Sequence, residues 1–196
     1  HEKLDCKKYL DNFTGTLNKS TVIPYAGGPE IKEPLCRNIN LRIIQSAKEK
    51  LYIMSPYLVP DSEFMKALKK KAGEGVDVRL ILPGVPDYRY LYRVTQSNAC
   101  RLFKSGVKIY YSGGEFVHSK VMLSESCATV GSVNIDMRAF YQEFDNGVYL
   151  NDKKIMSDIE KDFEEVFARG GRVDKMKRHW YSEVIASFLR LFSPLM

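Results

Sequence analysis

Apolar strand-like segments alternate with helical segments in the first half of the chain, and this alternation constrains the fold more than any other feature. Residues 51–54 and 76–82 are short apolar runs that end near turn-forming residues, which is typical of buried strands. Apolar residues at helical spacing fill the stretches before and between these runs. Strands connected through helices pair in parallel by right-handed crossovers. The first half of the chain therefore predicts a parallel sheet.

Five helices are predicted from the spacing of apolar residues. Asp61 is a good N-cap, and the helix that it begins is expected to end near Gly73. The other predicted helices cover residues 34–50, 88–104, 154–169 and 176–192.

The second half contains strand-like runs that follow one another with short links. Residues 107–111, 116–123, 129–130 and 146–150 have this character, and short links favour antiparallel pairing. The predicted fold class is therefore α/β, a mixed and mostly parallel sheet flanked by helices on both faces. Residues 1–20 are polar and aperiodic and are interpreted as a connector from a preceding half. Residues 21–196 are expected to form one domain.

The chain is basic, with a formal net charge of +6 over 196 residues. A basic surface favours polyanions, either nucleic acid or an anionic membrane face. The densest groups of basic residues are interpreted as solvated helix faces, and the charge alone does not select a partner. These groups are Lys66, Lys69, Lys70 and Lys71, and Arg172, Lys175, Lys177 and Arg178.

Cysteine and histidine spacing gives no indication of a metal site or a disulfide framework. The three histidines are far apart, and the four cysteines include no Cys-x-x-Cys pair, so neither zinc nor another metal is expected. Scattered cysteines of this kind are typical of small buried residues in a reducing compartment. No apolar run is long enough to span a bilayer. An apolar stripe on the last predicted helix is interpreted as core, with interfacial membrane contact as the alternative.

One short segment has a pattern typical of phosphate chemistry. His118 and Lys120 are two positions apart on a predicted strand, so both point to the same face, roughly 7 Å apart. Ser132 and Asn134 follow the next strand in a Gly-Ser-x-Asn turn, and Glu143 comes shortly after. A basic pair with small polar residues nearby favours a phosphate-binding site.

Each of these side chains has a plausible chemical role. The neutral imidazole of His118 is suited to attack phosphorus and form a phosphohistidine, which divides one displacement into two. Lys120 and Asn134 are suited to bind phosphate oxygens. The Ser132 hydroxyl is expected either to bind an oxygen or to support its loop. Glu143 is expected to accept a hydrogen bond from the far imidazole nitrogen and stabilise the imidazolium.

The segment resembles the signature of the phospholipase D superfamily, His-x-Lys, four residues, Asp, then Gly-Ser-x-Asn. The wider sequence resembles the C-terminal half of bacterial cardiolipin synthases. That similarity is carried by residues 55–61, 75–84, 106–110, 134–138 and 191–196, and covers roughly residues 21–196.

The resemblance implies a phosphatidyltransferase. A phosphatidyl group would pass between phosphatidylglycerol molecules through a phosphohistidine, with release of glycerol and without a metal or nucleotide cofactor. The implied location is the bacterial cell membrane, with the catalytic domain outside the bilayer against an anionic surface. Two alternatives within the superfamily stay open, a phospholipase D-type hydrolase and a homodimeric metal-independent nuclease. Nucleic acid is the less favoured partner.

One position departs from the signature. Glu125 stands where the family has Asp, a residue that the resemblance implies is motif support and not a reacting group. Glu keeps the charge and adds one methylene. A catalytically silent phosphate-binding half is therefore a further alternative.

A single His-x-Lys motif is expected in the chain, and neither His1 nor His179 is expected to supply a second one. The two-step reaction needs an imidazole on each side of phosphorus, one to attack and one to protonate the leaving alcohol. The resemblance therefore implies a second motif-bearing half in a longer chain or, as the alternative, a homodimer. The isolated half is expected to be inactive, and the sequence does not say which imidazole is the nucleophile.

Overall fold

The computed structural model describes residues 20–114, 117–176 and 180–190. Within them, eight strands form one sheet in the order β1-β9-β7-β6-β2-β4-β5-β10, and β3 and β8 form a second, two-stranded sheet. The strands are β1 Val22–Ala26, β2 Lys50–Met54, β3 Leu58–Val59, β4 Asp77–Leu82, β5 Lys108–Tyr111, β6 Lys120–Ser124, β7 Ala128–Gly131, β8 Ile135–Asp136, β9 Asn146–Leu150 and β10 Gly171–Arg172. The helices are α1 Leu35–Ser46, α2 Ser62–Gly73, α3 Arg89–Phe103, α4 Met137–Tyr141, α5 Lys153–Arg169 and α6 Trp180–Arg190.

The parallel part of the sheet includes the strands predicted from the alternating segments, and it also includes β5, which was expected to pair antiparallel but follows a helical crossover. β2 pairs in parallel with β4, and β4 with β5, and each crossover contains one helix. The first crossover helix, α2, begins where predicted, because the Asp61 carboxylate accepts a hydrogen bond from Phe64 N at 2.9 Å. These features confirm the α/β class.

The antiparallel part is larger than predicted. β6 pairs antiparallel with β2 and with β7, and β9 pairs antiparallel with β7 and β1. With β10 against β5, five pairings of the eight-stranded sheet are antiparallel and two are parallel. The sheet is mixed as expected, but not mostly parallel, because four of the five antiparallel pairings join strands that are not consecutive in the chain, and only β6 and β7 are joined by a short link.

Helices cover both faces of the sheet, as predicted. One face packs against α1 and α2, whose fully buried side chains include Ile44 and Phe64. The other face packs against α5 through Phe163 and Phe167, whose rings contact Tyr52 at centroid distances of 5.8 and 5.3 Å. The two cores sandwich the sheet and position its strand ends rigidly.

The small sheet and the short helix α4 were not predicted. β3 pairs in parallel with β8, Leu58 opposite Ile135 and Val59 opposite Asp136. Side chains of α3 complete its hydrogen bonds, since Asn98 Nδ2 donates to Leu58 O at 2.9 Å. Two-residue strands contain too few side chains for a period to be visible in the sequence.

The interpretation of the last helix as core needs correction within the described residues. Ala186 of α6 is buried, but Tyr181, Val184, Ile185 and Phe188 are exposed. Helix α6 packs against α3, but most of the apolar side chains in its stripe are exposed. None of the helices in the described ranges is both long enough and apolar enough to cross a membrane.

The described cysteines agree with the expected buried state. Cys36, Cys100 and Cys127 are free thiols and are buried. The fourth, Cys6, lies outside the described residues.

Candidate functional site

The β6–β7 hairpin brings the two parts of the motif together. Lys120 is the first residue of β6 and lies opposite Gly131, the last residue of β7. The chain leaves β7 directly into Ser132, and Asn134 precedes β8. An antiparallel register therefore places the His-x-Lys end of one strand beside the Gly-Ser-x-Asn end of the next.

His118 and Lys120 are in contact, although not for the reason expected. Strand β6 begins at Lys120, so His118 lies before the strand and the two do not share a strand face. Lys120 Nζ lies 2.8 Å from His118 Nδ1, 3.1 Å from Nε2 and 2.7 Å from the His118 carbonyl oxygen. The His118 side chain is exposed and is not buried among apolar side chains.

Gly131 is required by the close approach of a neighbouring strand. A Cβ at this position would lie 2.3 Å from Asn146 O and 2.6 Å from Gly147 Cα. Any larger residue would push β9 away from β7. The first residue of the Gly-Ser-x-Asn turn is thus explained by backbone packing.

The Ser132 hydroxyl supports the turn. Ser132 Oγ donates to Asp145 Oδ1 at 2.5 Å and accepts from Asn146 N at 3.0 Å. The Ser132 backbone N donates to Asn146 O at 2.8 Å. Of the two roles that the sequence left open for this hydroxyl, loop support is the one for which the structure shows contacts.

Asn134 and Glu143 line one cavity, together with Asp136 and Arg138. Among the described residues, the Asn134 side-chain oxygen is buried and has no hydrogen-bond partner. A buried amide oxygen without a partner is costly and is often found where a ligand or water binds. Glu143 contacts a cation here, since its Oε1 lies 2.9 Å from Arg138 Nη2. The structure shows no contact between Glu143 and His118, so the role predicted for Glu143 stays a prediction.

Two carboxylates near the site were missed by the sequence reasoning. Asp136 and Asp145 are both buried. Burial lowers the pKa of Lys120, and the negative charges of Asp145 and Asp136 oppose that effect by raising it. Both aspartates therefore lie within electrostatic range of the Lys120 ammonium. The sequence could have indicated Asp145, because it is an acidic residue only two positions after Glu143.

The pKa of Asp136 is strongly perturbed. Burial, together with the charges of Glu143 and Asp145, raises this pKa to about 6, while hydrogen bonds from the backbone of α4 oppose the change. Its carboxylate caps α4 by accepting from Ala139 N at 2.8 Å. Asp136 lines the Asn134 cavity and lies within electrostatic range of Lys120.

Glu125 lies at the other end of β6 and contacts backbone, not the site. Its Oε1 accepts from Lys48 N at 3.0 Å, and its Oε2 lies 3.4 Å from both Glu49 N and Lys50 N. Burial tends to raise the pKa of Glu125, but these backbone hydrogen bonds lower it overall. The carboxylate joins the end of β6 to the loop that leads into β2.

No metal site is visible in the part of the chain that the structure describes, since no group of three or more His, Cys, Asp or Glu side chains is arranged to bind an ion. The groups at the site that can donate hydrogen bonds to a ligand are an imidazole, an ammonium and an amide. Such groups suit a phosphate anion better than a divalent cation.

A second, weaker form of the motif was also missed. His1 is followed by Lys3, and Gly15-Thr16-Leu17-Asn18 repeats the Gly-Ser-x-Asn pattern with Thr for Ser. Gly15 comes fourteen positions after His1, and Gly131 comes thirteen after His118. These residues lie outside the described ranges. The expectation of a plain connector over residues 1–20 does not account for this repeat.

Comparison with family models identifies the relatives of this site. Residues 41–167 match the model described as "Cardiolipin synthase, PLD-like domain". The chain belongs to this family. The match includes every described residue of the His118 motif, so this PLD-like domain contains the predicted site.

Curated relatives support the same conclusion over a longer stretch. A cardiolipin synthase from Clostridium perfringens is 34% identical over 200 residues, a match that covers 98% of this chain and 42% of the relative. The first curated relatives are covered over 34 to 42% of their length. The chain thus spans less than half of the proteins it matches.

Solved structures confirm the PLD-like fold at low sequence identity. Nuc, a phospholipase D family member from Salmonella typhimurium, superimposes with a TM-score of 0.67 at 19% identity, covering 80% of this chain and 100% of Nuc. Phosphatidylserine synthase from Haemophilus influenzae has a TM-score of 0.68 at 17% identity, covering 91% of this chain and 46% of the synthase. The same fold is a whole chain in one protein and about half of a chain in the other.

Proposed function

We propose that this PLD-like domain transfers a phosphatidyl group between phosphatidylglycerol molecules, with His118 at the reacting phosphorus. The observation that supports this most directly is the contact between the exposed His118 imidazole and Lys120 Nζ at 2.8 Å. An exposed imidazole beside a cation is suited to attack an anionic phosphodiester, because the ammonium attracts the phosphate to the nucleophile.

The proposed reaction has two displacements. In the first, a His118 ring nitrogen bonds to phosphorus, the bond from phosphorus to the glycerol oxygen breaks, and glycerol leaves with a proton from a second acid. In the second, a hydroxyl of another phosphatidylglycerol gives its proton to the group that protonated glycerol and bonds to phosphorus, and the phosphorus–nitrogen bond breaks. This step yields cardiolipin and regenerates the His118 imidazole.

The neighbouring groups stabilise charge on the phosphoryl oxygens. Lys120 supplies a positive charge, and the Asn134 amide supplies hydrogen bonds from the adjoining cavity. For the Ser132 hydroxyl to donate to a phosphate oxygen, its hydrogen bond to Asp145 Oδ1 would have to break. For Glu143 to orient the imidazole, it would have to leave its ion pair with Arg138 and accept a hydrogen bond from His118. Asp145 is a second candidate for that orienting role because of its influence on Lys120.

The second imidazole has three candidate sources. It comes from the His1 motif, from another motif-bearing half in a longer chain, or from a second copy of this chain. The names of the curated relatives and their greater length favour a half-domain role. We propose that the assembled enzyme acts at an anionic bacterial membrane surface.

The test is a mass-spectrometric assay with phosphatidylglycerol vesicles. The 196-residue chain is assayed alone and in place of the matching segment of the Clostridium perfringens cardiolipin synthase. A four-chain lipid product that disappears in His118→Ala, and survives Ser119→Ala at the exposed neighbouring position, supports the proposal. Cardiolipin formation that persists in His118→Ala would contradict it and favour a catalytically silent half. Phosphatidic acid alone would indicate a hydrolase.

A nuclease, the alternative that the sequence left open, is the second candidate, because a net charge of +6 also suits a nucleic-acid backbone. A nuclease would cleave DNA with metal ions chelated and would need a dimer to bring two imidazoles together. Cleavage of linear DNA by the chain in excess EDTA, lost in His118→Ala, would favour this alternative. The chain's mass in solution shows whether a dimer forms.

A further inference from the structure

A second positively charged pocket lies between three helices, outside the His118 site. Four cationic side chains line it, Lys66 and Lys69 from α2, Arg101 from α3 and Arg190 from α6. Lys66 and Lys69 are three positions apart on a helix and therefore share one face. The cavity has a volume of about 460 Å³, which is large enough for a lipid headgroup.

The negative charge that borders this pocket is already compensated. Asp61 is the one carboxylate that lines it within the described residues. Arg37 Nε lies 2.5 Å from Asp61 Oδ2, Tyr141 donates to the same oxygen at 3.0 Å, and Phe64 N donates to Oδ1. Burial alone would raise the pKa of Asp61, but these partners lower it overall. The side chains that line the pocket therefore carry a net positive charge.

The remaining walls of the pocket are apolar. Val59, Pro60, Met65 and Met137 line it between the cationic groups. A simple inorganic anion would leave this surface in contact with water, whereas a phosphate ester with an apolar body would cover it. Cations with apolar walls thus favour an amphiphilic anion.

The pocket adjoins the proposed catalytic site without merging with it. Val59 of β3 pairs with Asp136 of β8, and Met137 follows Asp136 directly. Asp136 lines the Asn134 cavity, whereas Val59 and Met137 line the basic pocket. The β3–β8 sheet separates the two cavities, so a molecule in one is close to a molecule in the other.

We propose that this pocket binds the phosphate group of an acidic phospholipid, with the lipid's glycerol region against Val59, Met65 and Met137. It is a lipid-binding site distinct from the His118 site, and it binds without any bond being made or broken. The lysine cluster on α2, which the sequence indicated to be a solvated face, supplies two of its four cations.

The test measures binding of the full 196-residue chain to phosphatidylglycerol vesicles and to phosphatidylcholine vesicles by sedimentation in about 0.1 M salt. Lys66→Gln/Lys69→Gln is expected to weaken binding to phosphatidylglycerol vesicles at least tenfold, since each basic residue near an anionic surface contributes severalfold. The matched control is Lys153→Gln/Lys154→Gln, which removes the same charge from exposed positions of α5, on the other face of the sheet. The control is expected to change binding less than threefold.

Three further measurements make the outcome decisive. Thermal melts of both double variants show that the proteins are folded. His118→Ala, which alters the proposed substrate site, should weaken binding to phosphatidylglycerol vesicles less than Lys66→Gln/Lys69→Gln does, and this difference separates the two sites. Equal losses in the two double variants would mean diffuse charge attraction and would overturn the proposal. Saturable binding of inorganic phosphate that depends on Lys66 and Lys69, without vesicle binding, would also overturn it and indicate a small-anion site.

Discussion

The polar groups at the two ends of strand β6 differ in how fully they are hydrogen-bonded. At its C-terminal end, Glu125 is saturated, with its two carboxylate oxygens accepting hydrogen bonds from three backbone N–H groups. At its N-terminal end, Lys120 and His118 are accessible, and the oxygens Asn134 Oδ1 and Asp145 Oδ2 are buried without partners among the described residues.

The difference shows which end is organised for stability and which for binding. Saturated polar groups stabilise a fold, whereas partnerless buried oxygens and a buried Asp136 carboxylate cost stability. Such cost is typical of functional sites. Substitutions at the two ends should therefore affect different properties, and four measurements test this.

The largest effect is expected at the N-terminal end, on activity. Lys120→Gln should reduce transfer activity about 10²- to 10³-fold, because a positive charge is lost where negative charge develops. Its melting temperature should stay within about 2 °C of the parent, since the hydrogen-bond contacts seen for the Lys120 ammonium are to the exposed His118. Lipid product formation in the synthase hybrid and a thermal melt measure the two properties. A folded Lys120→Gln protein with full activity would contradict the comparison.

The next largest effect is expected from Asp136, on the pH dependence of stability. The pKa of Asp136 is about 6 in the folded protein, against 3.8 for an unperturbed aspartate side chain. The folded state therefore binds more protons than the unfolded state between these two pH values. The unfolding free energy should therefore fall by about 2 to 3 kcal/mol as pH rises from about 4 to 6. Asp136→Asn should remove this fall while its side-chain oxygen still caps α4. Urea unfolding at pH 4.5 and pH 7 measures it, and an unchanged slope in the variant would refute the assignment.

A smaller effect is expected at the C-terminal end, on stability. Glu125→Ala should lower the unfolding free energy by about 1 to 2 kcal/mol, because three backbone N–H groups lose a charged acceptor. Ser126→Ala at the exposed next position is the control. Urea unfolding at pH 7 measures both. Equal stability of Glu125→Ala and the parent would mean that water replaces the carboxylate without cost.

The smallest effect is expected at Lys120 when a neighbouring charge is removed. Asp145 raises the pKa of Lys120 against the lowering effect of burial. Asp145→Asn should therefore lower that pKa further, and Lys120 should lose its proton at a lower pH than in the parent. Side-chain NMR of labelled lysine measures the titration. A Lys120 pKa that does not move would place Asp145 outside the electrostatic environment of the site.

Much of the fold was predictable, because long elements contain enough residues to show a period. The capped helix α2 and strand β9 begin and end close to their predicted positions, and β2 and β4 pair in parallel as expected, whereas the parallel pairing of β5 was not expected. The short elements β3, β8 and α4 were missed, since two to five residues show no period. The start of β6 was misplaced because local apolar character does not reveal where the pairing partner ends.

The site was predicted in part. His118 and Lys120 were paired correctly, although through a loop contact and not a shared strand face. The structure, not the spacing, drew attention to Asp136 and Asp145, because their importance comes from burial, which depends on residues distant in the chain. The repeat at His1 was visible in the sequence and was missed there.

The sequence by itself determined the family, the α/β class and the chemical types available at the motif, because these depend on residue identity and local spacing. Only the tertiary structure decided which carboxylates lie near Lys120 and that Ser132 supports its turn. It also decided that lysines of α2 face a pocket shared with α3 and α6. These properties are set by which distant segments pack together and exclude water, and distance in space is not encoded in the local pattern of a chain.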